Sequence, residues 1–481
     1  MLSRLTDRLY NALLPTTDPY APHTDVTMEG YYTHLHVPSN NPINASPLTL
    51  VLIICEVKAA TDTDKRIMVY VLYAPHHNLL HDSSTSGHKG DRDVEEGFVR
   101  EMCAPRWKLT HSRTDGSNSL PPSGTVEPWS LEVPGIGYMK TDSTGNQHFL
   151  VRMPVNSSPS THADASEEED ELILEIHTTE RTPWSSTSVI SGPEGPFERL
   201  GTLLPLHWHV FSGCSKAEWQ LGRRRKVDLD LDPLMDVKAG LSSGEILASG
   251  TAMAHIEKNH GVGFPKGWLW AHCLGPSTPS SSSPSASSSP QAYQRPPVRF
   301  ALAGGSILGL EAYLVGFRDD TVGIEWDFAP PLTVGLNGWG AGVGMKVERQ
   351  WKVEGAEGMR RVRVQCWTVS RWLDVEILAS KDSFISLPGP VPSGFKPAMC
   401  HESFTAKFNI TLYERPPSIS AMLRTGPEDD WKKVGSYVIE EGALEFGGEY
   451  AGGSDHGESE QRSRDGEQES LATGSAGEHV D

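Results

Sequence analysis

No stretch of this 481-residue chain stays apolar for long. A helix needs about 18 or more apolar residues in a row to cross a bilayer. The longest run here, Leu48 to Cys55, has the length of a strand, so no transmembrane helix is expected. Cysteine is also sparse. Six cysteines, at 55, 103, 214, 273, 366 and 400, form no Cys-x-x-Cys pair and no dense framework. That scatter argues against a zinc module or a disulfide scaffold and for buried free thiols. Basic residues are outnumbered, 42 Lys and Arg against 62 Asp and Glu, for a net charge of −20. Such a chain repels phosphate backbones, so nucleic acid is not an expected partner. There is no P-loop, no Gly-x-Gly-x-x-Gly between strand and helix, and no Gly-x-Ser-x-Gly elbow. No cofactor is expected. Three Asn-x-Ser/Thr triplets, at Asn44, Asn156 and Asn409, stand without a secretory signal. An intracellular location, cytoplasmic or at a membrane surface, is expected.

Helical periodicity is limited to two places. Leu2, Leu5, Leu9 and Leu13 share one face of an amphipathic helix expected over residues 1–20. It could touch a membrane surface or cap the protein's own barrel. A second helical stretch is expected over Val94–Met102. Elsewhere, short runs of β-branched and aromatic residues alternate with Gly, Pro and Asn/Asp-Ser clusters. LTLVLIICEV, VRFALAGGSI and RVRVQCWTV are examples, the last alternating basic and apolar as a strand with one wet face does. The expected class is all-β, with two lipocalin-like barrel or sandwich halves at 21–235 and 236–450. A Ser/Pro loop over 275–297 and an acidic tail over 451–481 are too poor in apolar side chains to offset their ordering entropy.

What the chain does have is one unusual segment, His255 to Cys273, HIEKNHGVGFPKGWLWAHC. It mixes charge, glycine and indole, the residue types of a small-molecule pocket wall. Glu257 and Lys258 are adjacent, so on a strand they point to opposite faces. A glutamic acid in an aromatic cavity stays protonated near neutral pH, as a general acid must; it could equally be a structural residue at the turn. Asn259 could anchor a substrate oxygen. His260, Phe264, Trp268 and Trp270 could line the cavity, and indoles attract carbocations. In LPLHWHVFSGC, His207 and His209 share a face with Trp208 on the other. These histidines could act as acid, base or hydrogen-bond donors, or be satisfied interior residues. Ligation of a metal with help from His255 and His260 lacks a defined third or fourth ligand, so no metal is expected. MEGYYTHLHV places Glu29 ahead of a strand on which Tyr32, His34 and His36 share a face. Glu402, Glu414 and Glu445 are carboxylates set among apolar residues.

EKNHGVGFPKGWLWAHC, Glu257 to Cys273, resembles the EKNWGxGFPxxWxW signature of tocopherol cyclases and their relatives. His260 stands where that family has Trp. MEGYY is similar to the family's EGWYF strand, with Tyr31 in place of Trp. PLHWHVFSGCSKAEWQL, FALAGGSI, MCHESFTAKFNITLYER and ALEFGGEY follow in the family's order. The resemblance spans about residues 25–450. It implies two lipocalin-related halves around a hydrophobic cavity, and cofactor-free cyclisation of a prenylated quinol or related isoprenoid. An acid protonates the prenyl alkene and the phenol oxygen closes the ring. The expected catalytic residues are Glu257, His207, His209 and Asn259. The expected substrate contacts are Glu29, Tyr32, Trp208, His260, Phe264, Trp268 and Trp270. A related fold also hosts carotenoid hydratases and fungal pericyclases, and a lipocalin-type binder without chemistry is the other alternative.

Overall fold

The computed structural model describes residues 18–38, 47–76, 97–111, 126–155, 170–195, 204–225, 245–276, 296–307, 310–330, 334–335, 344–351, 353, 356–417 and 431–452. The amphipathic helix expected over 1–20 lies outside these residues except for 18–20, as do most of the Ser/Pro loop and all but the first two residues of the tail. No helix among the described residues is long and apolar enough to cross a membrane.

The described chain is all-β and forms two antiparallel sheets. The first contains β1 (Met28–Val37), β2 (Leu48–Val57), β3 (Ile67–Pro75), β4 (Phe98–Ala104), β5 (Lys108–His111) and β6 (Trp129–Val133). It continues with β7 (Gly137–Thr141), β8 (Gln147–Pro154), β9 (Asp170–Thr182), β10 (Leu206–Arg225) and β11 (Glu245–Gly261). Their spatial order is 4-3-2-1-11-10-9-8-7-6-5. β4 and β5 are opposite edges, yet only residues 105–107 separate them. Ten inter-strand spacings of about 4.8 Å would hold flat edges roughly 48 Å apart. A three-residue connection reaches only about 15 Å. The sheet must therefore curl until its edges nearly meet. Its inner face forms one continuous apolar core running from Phe98 through Trp219 to Trp129.

The second sheet holds β12 (Gly267–Gly275), β13 (Val298–Ile307), β14 (Leu310–Asp319), β15 (Ile324–Phe328), β16 (Val334–Gly335) and β17 (Gly344–Gln350). It is completed by β18 (Met359–Trp367), β19 (Arg371–Ser380), β20 (Phe384–Val391), β21 (Gly394–Glu414) and β22 (Lys432–Gly448). Here too one core joins the edges, with Trp326 from β15 and Met345 from β17 in the same cluster. The alternation in β18 shows why this sequence makes strands. Val362, Val364 and Cys366 are buried, while the intervening Arg361 and Arg363 pair with Glu376 and Asp374 on β19 at 2.6 and 2.7 Å.

Two expectations change. Of the helix expected over Val94–Met102, residues 94–96 lie outside the described residues and 98–102 belong to β4 instead, because Phe98 needs the sheet to bury its ring against Tyr73. The expected division at 235/236 also moves. β11 lies beyond it but pairs with β1 and β10, completing the first sheet. The chain crosses between the sheets at 262–266. Gly261 ends β11 with φ of 154°, and a Cβ there would sit 2.5 Å from the Pro205 carbonyl oxygen. All six cysteines are free, and Cys103 alone is exposed.

The first core encloses one cation. Lys258 is fully buried, with Nζ 2.5 Å from Glu29 Oε1 and 2.9 Å from His23 Nδ1, and it donates to the Ala21 carbonyl at 2.5 Å. Burial is the largest influence and resists ionisation of Glu29, but Lys258 and His23 together outweigh it and hold the carboxyl below its usual value. The Tyr31 ring, 5.1 Å from Nζ, adds about 0.5–2 kcal/mol of cation–π attraction. That is less than the several kcal/mol that burying an ammonium costs, so the partner carboxylate is required. Lys258→Ala is expected to lower stability by about 3–5 kcal/mol by stranding Glu29. A shifted urea midpoint would show it. Lys258→Ala combined with Glu29→Gln should lose less than Lys258→Ala alone, and equal losses would refute the pairing.

Candidate active site

Strand alternation sorts the residues of β1, β10 and β11 onto two faces. Glu257 is opposite Tyr32 on β1 and Val210 on β10, whereas Lys258 is opposite Tyr31 and His209. The Glu257 face looks away from the first core, toward the second sheet. There, between the sheets, lies a cavity of about 410 Å³, within the range of small-molecule sites. Tyr32, Trp208, Glu257, Asn259, Phe264, Trp268 and Trp270 line it together, all seven named from the sequence. Met28, Ile53, Leu206, Leu314 and Leu387 fill in apolar wall, and Leu310 (48% exposed) stands at its edge.

The remaining sequence candidates do not join them. Glu29, His207, His209 and His260 belong to the opposite face and are absent from the cavity lining. His207 is held by Glu194, whose Oε2 is 2.8 Å from Nδ1 and whose Oε1 accepts from the Trp208 N–H at 2.7 Å. His260 is stacked between His23 (4.0 Å) and His207 (5.0 Å). Burial, and then the charges around it, push its imidazole far below the ordinary value. His209 packs under Gly192, where a Cβ would come within 2.5 Å of Nδ1. The same period-2 geometry that aims Glu257 at the cavity turns these four away from it. They fix the Lys258 region and seat residues 18–27.

Two carboxyls of the lining, Glu257 and Glu445, and the neighbouring Glu402 carry the cavity's chemistry. Glu257, 2% exposed, holds Oε2 3.1 Å from both Trp270 Nε1 and His255 Nε2. Indole N–H groups only donate, so this oxygen is an acceptor. Glu445 on β22 lines the cavity and accepts from Trp268 Nε1. Glu402 on β21 is directly opposite Glu445 in the sheet, and its Oε1 accepts from the Tyr32 hydroxyl at 2.6 Å. Burial raises Glu445 to about 7, and Glu257 adds to this against the opposing bonds from Trp268 and Cys400. Burial pushes Glu402 well above the usual carboxylate range, reinforced by Glu445 and Glu257. Two adjacent carboxyls removed from water cannot both ionise cheaply. A protonated acid is therefore held against an aromatic wall.

Behind Glu257 lies a histidine layer. His255 stacks on His272 at 4.0 Å, and His272 Nε2 is 2.7 Å from His34 Nδ1. Burial, then neighbouring histidines, keep His34 and His272 well below the ordinary imidazole value. They pack against His255, whose Nε2 meets Glu257. Trp268 has its own seat, since a Cβ at Gly447 would fall 1.8 Å from its ring. The pairing of Glu402 with Glu445, and the His255–His272–His34 layer, were not visible in sequence. Cys400, Glu402 and Phe404 do share a period-2 face, and an acid within such an apolar period was the available signal.

No family model matches the chain, and no curated protein matches it. Solved structures that align with the chain include the following two. One is a Nitrosomonas europaea protein that carries the designation AttH, at 10% identity and TM-score 0.39, over 91% of this chain and 97% of that one. The other is kievitone hydratase from Nectria haematococca, at 9% identity and TM-score 0.38, over 91% of this chain and 94% of that one. Neither likeness transfers a residue or a reaction.

Infrared titration checks the protonation assignment. A carboxylic acid C=O band is expected to disappear between about pH 6 and 8. It should be missing from Glu445→Gln. If Glu445→Gln removes no band in that interval and only one near the ordinary carboxylate value, the assignment is contradicted.

Proposed function

We propose that the chain is a cofactor-independent acid catalyst acting on an alkene of a hydrophobic, isoprenoid-type substrate, in the manner of a tocopherol cyclase. The observation that carries this reading is Glu445, a partly exposed carboxyl that desolvation raises to about 7 and that lines an aromatic cavity. In the proposed step the Glu445 O–H bond breaks and a C–H bond forms at the less substituted alkene carbon. The O–H electron pair stays on the carboxylate, and the alkene's other carbon becomes a tertiary cation. The indole faces of Trp268 and Trp270 attract that cation. A hydroxyl of the substrate then forms the C–O bond, and its proton returns to the carboxylate, leaving the acid ready for another turnover. A prenylated quinol supplies its own hydroxyl and is cyclised, whereas water in the same place would give hydration. Tyr32 and Asn259 are placed to hold the oxygen, and Glu257 organises the wall through Trp270. The inward carboxyls favour this reading over a lipocalin-type binder, whose cavity needs none.

A prenylated hydroquinone incubated with the protein in D₂O tests the step. Expected is one deuterium on the carbon next to the new quaternary centre. Ring closure without solvent deuterium would point to pericyclic chemistry, and unchanged ligand that binds saturably would point to a carrier. The rate should fall about tenfold per pH unit above about pH 7, because Glu445 must be protonated. Glu445→Gln should lower turnover by roughly a hundredfold or more in a protein that stays folded. Glu257→Gln should keep more activity and move the alkaline limb to lower pH, since Glu257 raises Glu445. The reverse pattern would make Glu257 the acid.

A further inference from the structure

On the outer surface of the first sheet, far along β8 and β9 from the cavity strands, three ligand-type side chains converge. His148 and His177 are cross-strand partners, and Glu175 lies two residues before His177 on the same face. Glu175 Oε1 is 2.9 Å from His148 Nε2 and 3.1 Å from His177 Nε2. The two imidazoles stack at 3.9 Å with their planes 20° apart, so both Nε2 atoms are aimed at the same oxygen. Among the described residues this is the one group of three His, Cys, Asp or Glu donors whose ligand atoms all fall within 4.8 Å of one another.

The two nitrogen–oxygen distances have hydrogen-bond length, and a small outward shift of the side chains would open the group to the spacing an ion needs. A tetrahedron built on bonds of about 2.05 Å has ligand–ligand edges of about 3.3 Å, close to both nitrogen–oxygen distances here. We propose that His148, Glu175 and His177 form a binding site for a divalent transition-metal ion such as Zn²⁺, with the outward position left to water. Two imidazoles and one carboxylate are a known donor set for this ion. The ligand atoms are reachable, since the side chains are 28%, 19% and 51% exposed for His148, Glu175 and His177.

The Tyr138 hydroxyl is 3.2 Å from His148 Nδ1 and 3.3 Å from Nε2. Once Nε2 binds the ion, Nδ1–H can donate to that hydroxyl, an outer contact of the kind that orients metal-bound histidines. Lys140, whose Nζ sits 4.3 Å over the Tyr138 ring, is the neighbouring cation that opposes binding. The net charge of −20 acts the other way at long range. The bound ion would clamp β8 to β9, apart from the reaction proposed for the cavity.

Calorimetric titration of the untagged, chelator-stripped full chain with Zn²⁺ tests the site. One saturable ion per chain is expected, together with a rise in Tm that a chelator reverses. His177→Ala and Glu175→Gln should each weaken binding roughly tenfold or more, and Tyr138→Phe less. His177 is half-exposed and Glu175 partly buried at the surface, and far-UV dichroism checks that both variants fold. His177→Gln replaces His177→Ala if the latter does not fold. Absence of saturable binding overturns the proposal. So does binding that folded His177 and Glu175 variants retain at full strength.

Discussion

The structure turns on a single step of backbone in β11. Glu257 and Lys258 are neighbours in sequence, and a strand sends neighbours to opposite faces. Along this part of β11 one face packs into the first core and the other lines the cavity, so both faces are interior. One residue step therefore buries a carboxyl in the cavity between the sheets and an ammonium in the core of the first. Neither burial is tolerable alone. Lys258 is compensated by Glu29 and by the carbonyls of Tyr20 and Ala21, which ties residues 18–27 to the barrel. Glu257 is compensated by Trp270 from the second sheet, which ties the two sheets together.

The same scarcity of water explains the cavity's electrostatics. Its walls come from both sheets and are chiefly aromatic and aliphatic, so an ionised group there loses most of its hydration. Three carboxyls brought into one dry space cannot all carry charge. Burial keeps protons on Glu402 and Glu445, while Glu257 accepts hydrogen bonds. The hydroxyl of Tyr32 and the indole of Trp268 fix which oxygen of each acid faces which neighbour. The acid's strength is thus set by the packing of two sheets rather than by any feature of its own strand.

Local pattern carried far in this chain. LTLVLIICEV and VRFALAGGSI occupy β2 and β13 over their full lengths, because β-branched runs bounded by Gly and Pro have few other ways to bury themselves. Seven candidate residues, from Tyr32 to Trp270, do line one cavity. The four that do not, Glu29, His207, His209 and His260, were misplaced for a definite reason. Their strands pair in a register that puts them beside Lys258, and register is a property of neighbouring strands. Alternation within LHWH separated Trp208 from the two histidines but could not say which face held the cavity. Phe98 likewise reads as part of a helix until β3 is there to receive it.

The sequence by itself determined the all-β class, most strand positions, the opposition of Glu257 and Lys258, and the aromatic character of the segment that follows. These depend on residue type and on a period of two, which any short stretch of chain contains. Tertiary structure alone decided that β11 closes the first sheet while β12 opens the second, so that 262–266 is the crossing between them. It also decided that Glu445, more than 180 residues beyond Glu257, shares the cavity with it, and that Glu402 is the cross-strand partner of Glu445. Such meetings follow from sheet order and from the curl that a three-residue connection forces on eleven strands, and neither is written in any local run of residues.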